Sequence, residues 1–421
     1  MKTMSWMVMV GLILSGAVSQ AQSYSTIYSF TNYEAGAPSA GVVLSGNTFY
    51  GVTFYSGATV FQVNTDGTGY ATLPYAAETG QSSAGLLLNG NVLYGVGNDF
   101  VFKAYTDVTN FARYTTVINN PSQLVLNGPI LYGANCNYPG SIYKINADGT
   151  GYAVLHSFTN ALDGTDPQAG LVVAGNMLYG TTYTGGSSEN GTLFEINTNG
   201  TGYAVLYDFS NTPDGANPDA SLVVNGSVLY GTTQNGGSAG EGTVFAIGTN
   251  GTGYAILKNF TGQPDGANPK AALLGLGNTL YGTTYGGGAS NDGTVFQINL
   301  DGTGYVVLHN FLGATNDGAD PLGNLIMGSG GLYGTTSRGG TFGYNNDGTI
   351  YRLTLPPPPL QVATAGGGPV VFWPNDGFSH TLQTTTNLNS GPWTTVSNAA
   401  SVIGLQITNA TGQGGAFYRL Q

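Results

Sequence analysis

One short step recurs seven times along the chain and limits what it can fold into. A hydrophobic residue, a tyrosine and a glycine appear together at Tyr50, Tyr94, Tyr132, Tyr179, Tyr230, Tyr281 and Tyr333, with spacings of 44, 38, 47, 51, 51 and 52 residues. A period near 50 residues means that one supersecondary unit is reused, each copy completing its core against its neighbours. The best-formed unit, from Asn217 to Phe260, contains four strand-like runs: A (Ser221–Val224), B (Val228–Thr233), C (Thr243–Ile247) and D (Tyr254–Phe260). Asn225-Gly226 separates A from B, and Asn250-Gly251-Thr252-Gly253 separates C from D, both with the chemistry of tight hairpins. Four antiparallel strands repeated at this period predict propeller blades. An open solenoid of β-units is the alternative.

Composition removes the other classes. Glycine fills 69 of 421 positions, a density at which long helices would lose about 1 kcal/mol per glycine. Only 7% of residues are charged while 41% are hydrophobic, too apolar for a disordered chain. No Gly-X-Y period runs through the sequence, so collagen is excluded. The ends of the array then suggest closure. The seventh unit supplies A, B and C (Gly348–Leu355) and stops at four prolines, lacking D. Tyr24–Phe30, near the N-terminus, aligns with Tyr152–Phe158, the D strand of the third unit. Pairing the two termini would hide both sheet edges. The prediction is therefore an all-β, seven-bladed β-propeller of four-stranded blades over residues 24–355, closed by an N-terminal strand. The second unit is degenerate, with Asp107–Ala112 replacing the usual turn. The strand B glycines should mark close approach of another backbone. The tyrosines, with Phe61, Phe194, Phe245 and Phe296, should pack between blades.

The signature LYGTT, then GG, then GT(V/L)F-x-I, then DGTGY-x-x-L-x-x-F resembles the GloVer tandem repeat of secreted bacterial proteins, notably verrucomicrobial ones. The resemblance covers about 330 residues and is clearest in units four to six. It implies an exported repeat protein, and no residue role carries over from it. The diglycines Gly185-Gly186 and Gly236-Gly237 are loosely similar to kelch blades, which imply a binding platform. After the linker Pro356–Pro359, residues 360–421 form a separate segment, expected to be a small β-sandwich-like domain. Its W-T-x-V piece at Trp393 and terminal Phe417–Leu420 resemble the domain that closes many verrucomicrobial exported proteins, which implies sorting or surface attachment.

Residues 1–21 read as a signal peptide: Lys2, the apolar run Trp6–Val18, and small residues at Ser19-Gln20-Ala21. That run is too short to span a bilayer, and no other stretch reaches the required length. The expected location is outside the cytoplasm: secreted, periplasmic or on the cell surface. A formal net charge of −12 with scattered basic residues argues against nucleic acid and anionic membranes as partners. Cys136 is the only cysteine, so no intramolecular disulfide forms and the thiol is expected to be buried. The propeller is expected to be monomeric.

No constellation demands an enzyme. His156 and His309 share the strand D position where other units carry Tyr207 and Lys258, which reads as a solvated strand face. The third histidine, His380, has no partner at metal-ligand spacing, and no HExxH or CxxC is present. Gly236–Gly240 matches G-x-S-x-G only formally, because it lies in a loop between two strands. Carboxylates recur at Asp163, Asp214, Asp265 and Asp317 before strand A, and at Asp292 and Asp347 before strand C. Oxygen-rich loops of this kind would suit calcium. Asp and Asn also cap turns by bonding the backbone two residues on, and regular repetition favours that role. Apart from calcium, no cofactor is expected. The B–C and D–A loops share one face, and variable loops on a rigid scaffold are where binding concentrates. The candidate ligand residues there are Tyr183, Gln234, Asn235, Tyr285, Arg338 and Tyr344, with Phe342 beside them. Tyrosines among amides and acids suit a carbohydrate through ring stacking and hydrogen bonds. Three functions follow from this reading. One is an exported non-catalytic binding module for a glycan or extracellular protein, with a C-terminal attachment or sorting domain. The others are a polysaccharide lyase or glycosidase on a propeller scaffold, and a structural envelope or matrix protein.

Overall fold

The computed structural model describes residues 22–355 except 32–36, 39, 54–58, 74–83, 98, 108–109, 116–119, 160, 314–315 and 342–347; beyond that, only short backbone strands between 361 and 420 are described. The predicted signal peptide lies outside the described residues. By its contacts the chain divides at Thr354, with Tyr24–Thr354 forming one unit.

That unit is a seven-bladed β-propeller. Each blade is a four-stranded antiparallel sheet in the order A-B-C-D. In the fifth blade the strands are Val223–Asn225, Val228–Thr233, Thr243–Gly248 and Ala255–Asn259. The A strands lie against one another around the axis. In the seventh blade the sheet is completed by Ser23–Ser29, which pairs with Thr349–Thr354, so the ring closes through the N-terminal strand. The A–B turn is one residue later than the sequence suggests: Asn225 still pairs with Val228, and Gly226-Ser227 form the loop. Gly226 has φ +61° with open space where a side chain would stand, so backbone conformation selects glycine here.

The strand B glycine has a different cause from the one expected. A Cβ on Gly231 would stand 2.6 Å from the ring of Phe245 and 2.8 Å from Leu222. The cross-strand phenylalanine of the same blade therefore fills the space, and no second backbone is involved. Phe245 packs at the blade interface, sharing a core with Tyr179 and Phe209 of the fourth blade. The Thr-Thr and Gly-Thr signatures also acquire a role. Thr233 faces Thr243 across strands B and C with their hydroxyls 2.9 Å apart, buried, and three further blades repeat the pair. A buried hydroxyl pair fixes register, because a one-residue slip would leave both unsatisfied.

The strand D position read as a solvated face is instead an inter-blade latch. His156 stacks on Tyr203 of the next blade with ring centroids 3.8 Å apart, Tyr207 on Tyr254 at 4.0 Å, and His309 on Tyr24 at 4.0 Å. Lys258 lies over Tyr305 at 4.5 Å in the same arrangement. The last contact of the series, Tyr28 on Tyr70 at 5.0 Å, joins the seventh blade to the first. Ring closure thus reuses the latch that joins the other blades.

The second unit is described as backbone strands only. Gln361–Ala365 and Gly368–Phe372 pair with Thr408–Asn409 in one antiparallel sheet; Leu382–Thr385 pairs with Thr394–Thr395 and Phe417–Leu420 in another.

Candidate functional site at the axial mouth

On the B–C/D–A face the two loop sets are joined. Each D–A connection from the third blade onward ends in Asn-Pro or Asp-Pro, and Asn120, Asp166, Asn217, Asn268 and Asp320 all hold φ between +48° and +58°. Asn and Asp tolerate this region better than other side chains. The carbonyl of each accepts a hydrogen bond from the first residue of a B–C loop: Cys136, Tyr183, Gln234, Tyr285 and Ser337. Backbone bridges Thr165–Thr184, Ala216–Asn235, Ala267–Gly286 and Ala319–Arg338 complete the connection. These hydrogen-bonded loops form a collar around the axis.

Inside the collar lies an axial cavity of about 400 Å³. The residue after the proline enters it from successive blades: Ser122, Gln168, Asp219, Lys270 and Leu322. Asp219 is largely removed from water, and burial pushes its carboxyl up to about 6 even though Lys270 lowers it; Asp166 adds to the rise. Lys270 Nζ lies 4.2 Å from the ring centre of Tyr285. Tyr183 donates to Gln234 Oε1 at 3.0 Å, and Gln168 donates to Asp166 at 2.8 Å. Burial raises both Tyr183 and Tyr285, with Asp219 the next contributor at Tyr183 and Asp320 at Tyr285. Asp320 pairs with Arg338 at 3.0 Å; burial raises its carboxyl and Arg338 partly offsets this.

Of the residues singled out in the sequence, Tyr183, Gln234, Tyr285 and Arg338 stand around this mouth. Asn235 belongs to the scaffold, since its amide donates to Asn217 and its oxygen accepts from Asn268. Tyr344, Phe342 and Asp347 lie outside the described residues, as does His380. The repeated carboxylates are not brought together. Asp214 accepts from Tyr207 at 2.6 Å and from Ser210; Asp265 accepts from Lys258 and Thr261; Asp317 accepts from Leu312 N and faces His309 at 3.1 Å. Asp163 lies 3.6 Å from His156. The main-chain carbonyls of Asp163, Asp214 and Asp265 receive the phenols of Tyr203, Tyr254 and Tyr305 from the next blade. Asp292 is buried, and its carbonyl accepts from Asp320 N. Among the described residues no three His, Cys, Asp or Glu side chains converge. Cys136 is buried on the collar, its thiol donating to Pro167 O, and burial holds its pKa far above the usual thiol range.

Gln168, Asp219 and Lys270 were missed in the sequence. The available signal was irregularity: after Asn-Pro or Asp-Pro the repeat reads Ser, Gln, Asp, Lys, Leu, while the flanking residues stay similar.

The fold and the collar define a seven-bladed propeller with a polar axial mouth. The chain belongs to the Gloeobacter/Verrucomicrobia repeat family, whose model matches residues 125–252 and 224–384. Among curated protein sequences none matches. Two crystal structures of the extracellular domain of BT4673 from B. thetaiotaomicron resemble it, at 13% and 12% identity, both with a TM-score of 0.56. Each comparison covers 88% of this chain and 47% of the other. One is described as part of a hybrid two component system and the other of a one component system, and the likeness is one of fold. Among the described residues no helix is long and apolar enough to cross a membrane.

Proposed function

We propose that this chain is an exported, non-catalytic binding module that takes a glycan or an extracellular protein on the B–C/D–A face, with residues 360–421 serving attachment or sorting. The observation that carries the reading is the contrast within that face. The repeated acids, tyrosines and histidines hold blades together, whereas Asp219 and Lys270 line a cavity and form no hydrogen bond or ion pair among the described residues, Lys270 resting over Tyr285 of its own blade. Propellers commonly present ligands to such a surface. Residues 1–21 would direct export, in keeping with the extracellular setting of the two similar domains.

The test is a glycan array with the mature protein, in calcium and again in EDTA, alongside a Tyr183→Ala/Tyr285→Ala double variant. Specific hits that vanish in the double variant, with its thermal midpoint within a few degrees of wild type, support the reading. Hits lost in EDTA would make calcium a participant. Hits retained by the double variant would refute placement of the ligand on this face.

A second reading is favoured by one observation. Asp166 and Asp219 come from adjacent blades and influence each other electrostatically beside Tyr183. A glycosidase needs two carboxylates acting on one sugar; here Asp219 lines the cavity and Asp166, which accepts from Gln168, stands outside its lining. Release of new reducing ends from an array-positive polysaccharide, abolished by Asp219→Asn, would establish it.

A further inference from the structure

We propose that the axial mouth binds the terminal residue of a neutral saccharide chain end-on, through adjacent hydroxyls shared between Asp219 and Lys270. This rests on the glycan arm of the proposed function and specifies its site and ligand class.

Asp219 and Lys270 enter the cavity from adjacent blades at equivalent positions. Lys270 lowers the Asp219 carboxyl through its charge, yet they form no ion pair. Among the described residues the pairs are Arg113–Asp99, His156–Asp163, Lys258–Asp265, His309–Asp317 and Arg338–Asp320. Neither side chain has a hydrogen-bond partner among those residues. An acceptor and a donor held apart in a desolvated site match a pair of neighbouring hydroxyls, one donating to the carboxylate and the other accepting from the ammonium. Gln168 stands next in the same ring and offers both a donor and an acceptor, with its amide already directed to Asp166.

Charge selects against an acidic ligand. The mouth holds Asp166, Asp219 and Asp320 against Lys270 and Arg338, on a chain of net charge −12. A polyanion would meet repulsion, whereas an uncharged polyol would not.

The axis itself dictates end-on entry. Asn324, from the seventh blade, reaches across it: its amide lies 3.4 Å from Gln123 Oε1 of the third blade, and its oxygen accepts from Ala272 N of the sixth at 2.8 Å. This bar crosses the axis within the lining of the same cavity and stands in the way of a polymer threading the ring. A cavity of about 400 Å³ accommodates a chain end, towards the lower end of typical ligand pockets.

The experiment is calorimetric titration of the full mature chain with cellotetraose, xylotetraose and maltotetraose, with α-cyclodextrin as a ligand without a chain end, and with polygalacturonate as a polyanion. The expected result is binding of at least one linear neutral tetramer, weakened at least tenfold by Asp219→Asn and separately by Lys270→Met, with no binding of cyclodextrin or polygalacturonate. Equal binding by wild type and both variants overturns the proposal, as does binding of cyclodextrin or the polyanion at the affinity of the tetramers, or no binding of any neutral tetramer. If array hits are lost in the tyrosine double variant but survive Asp219→Asn and Lys270→Met, the end-on site falls while the binding-module reading stands.

Discussion

Two sets of carboxylates lie on the same face and do opposite things. Asp214, Asp265 and Asp317 recur blade after blade, and each is bonded by its own turn and by the strand D residue before it. Asp219 occurs once, enters a cavity and meets only desolvation and two charges at a distance. The difference teaches a rule for repeat proteins: a polar group that recurs in register is more readily explained by assembly, while one that breaks the register in a cavity has no assembly role to explain it. The protons of Asp219 and Asp265 should tell the two kinds apart, because burial without a partner raises the first carboxyl while partners outweigh burial and lower the second.

The largest expected effect concerns the latch series at ring closure. Deleting Ser23–Phe30 removes the outer strand of the seventh blade and, with it, the stacking of Tyr24 on His309 and of Tyr28 on Tyr70. It also bares the edge of Thr349–Thr354, a template for intermolecular pairing. The shortened chain should self-associate on size exclusion and lose its sharp denaturant transition; a monomer with an unchanged transition would show that closure contributes little.

Asp219→Asn should stabilise the protein. A carboxyl raised from 3.8 to about 6 binds its proton more tightly in the folded state, so its ionised form opposes folding. The penalty is absent below about pH 4, develops between pH 4 and 6, and reaches about 3 kcal/mol at pH 7. Denaturant midpoints of variant and wild type should therefore coincide near pH 3.5 and separate in favour of the variant at pH 7.5. A destabilised variant at pH 7.5 would mean that Asp219 has a structural partner.

Asp265→Asn should behave in reverse and somewhat more weakly. Burial alone would raise this carboxyl, but Lys258 and the Thr261 amide and hydroxyl more than offset it, so its pKa is lowered. Its contribution is present above about pH 4 and is lost as pH falls through the lowered value. The variant should lose about 2 kcal/mol at pH 7, the scale of hydrogen bonds to a charged group, with the deficit shrinking in acid. The same pH series reads both variants, and slopes of equal sign would break the distinction drawn here.

Much of the architecture was legible because periodicity is local. Tyr-Gly steps, Asn-Gly turns and the orphan strand at Tyr24–Phe30 reported blade number and closure from chain order alone. Tyr183, Gln234, Tyr285 and Arg338 could be placed on the B–C/D–A face because hairpin geometry assigns loops to faces. His156, Tyr207, Lys258 and His309 were misread because their partners are tyrosines of the next blade, about 50 residues on for the first three and at the other end of the array, Tyr24, for His309, so nothing local in the sequence pairs them. The strand B glycine was explained by the wrong neighbour, since sequence marks a crowded site without saying whether backbone or Phe245 crowds it.

The sequence by itself determined the unit, its number and its pairing within each blade, since strands and turns follow from residues a few positions apart. Only the tertiary structure decided what meets at the axis. Gln123 and Asn324 are 201 residues apart, and Asp219 and Lys270 are separated by a full repeat, yet circular closure brings each pair to one cavity. Those distances depend on how seven sheets pack in a ring, which is a property of the whole assembly of interfaces.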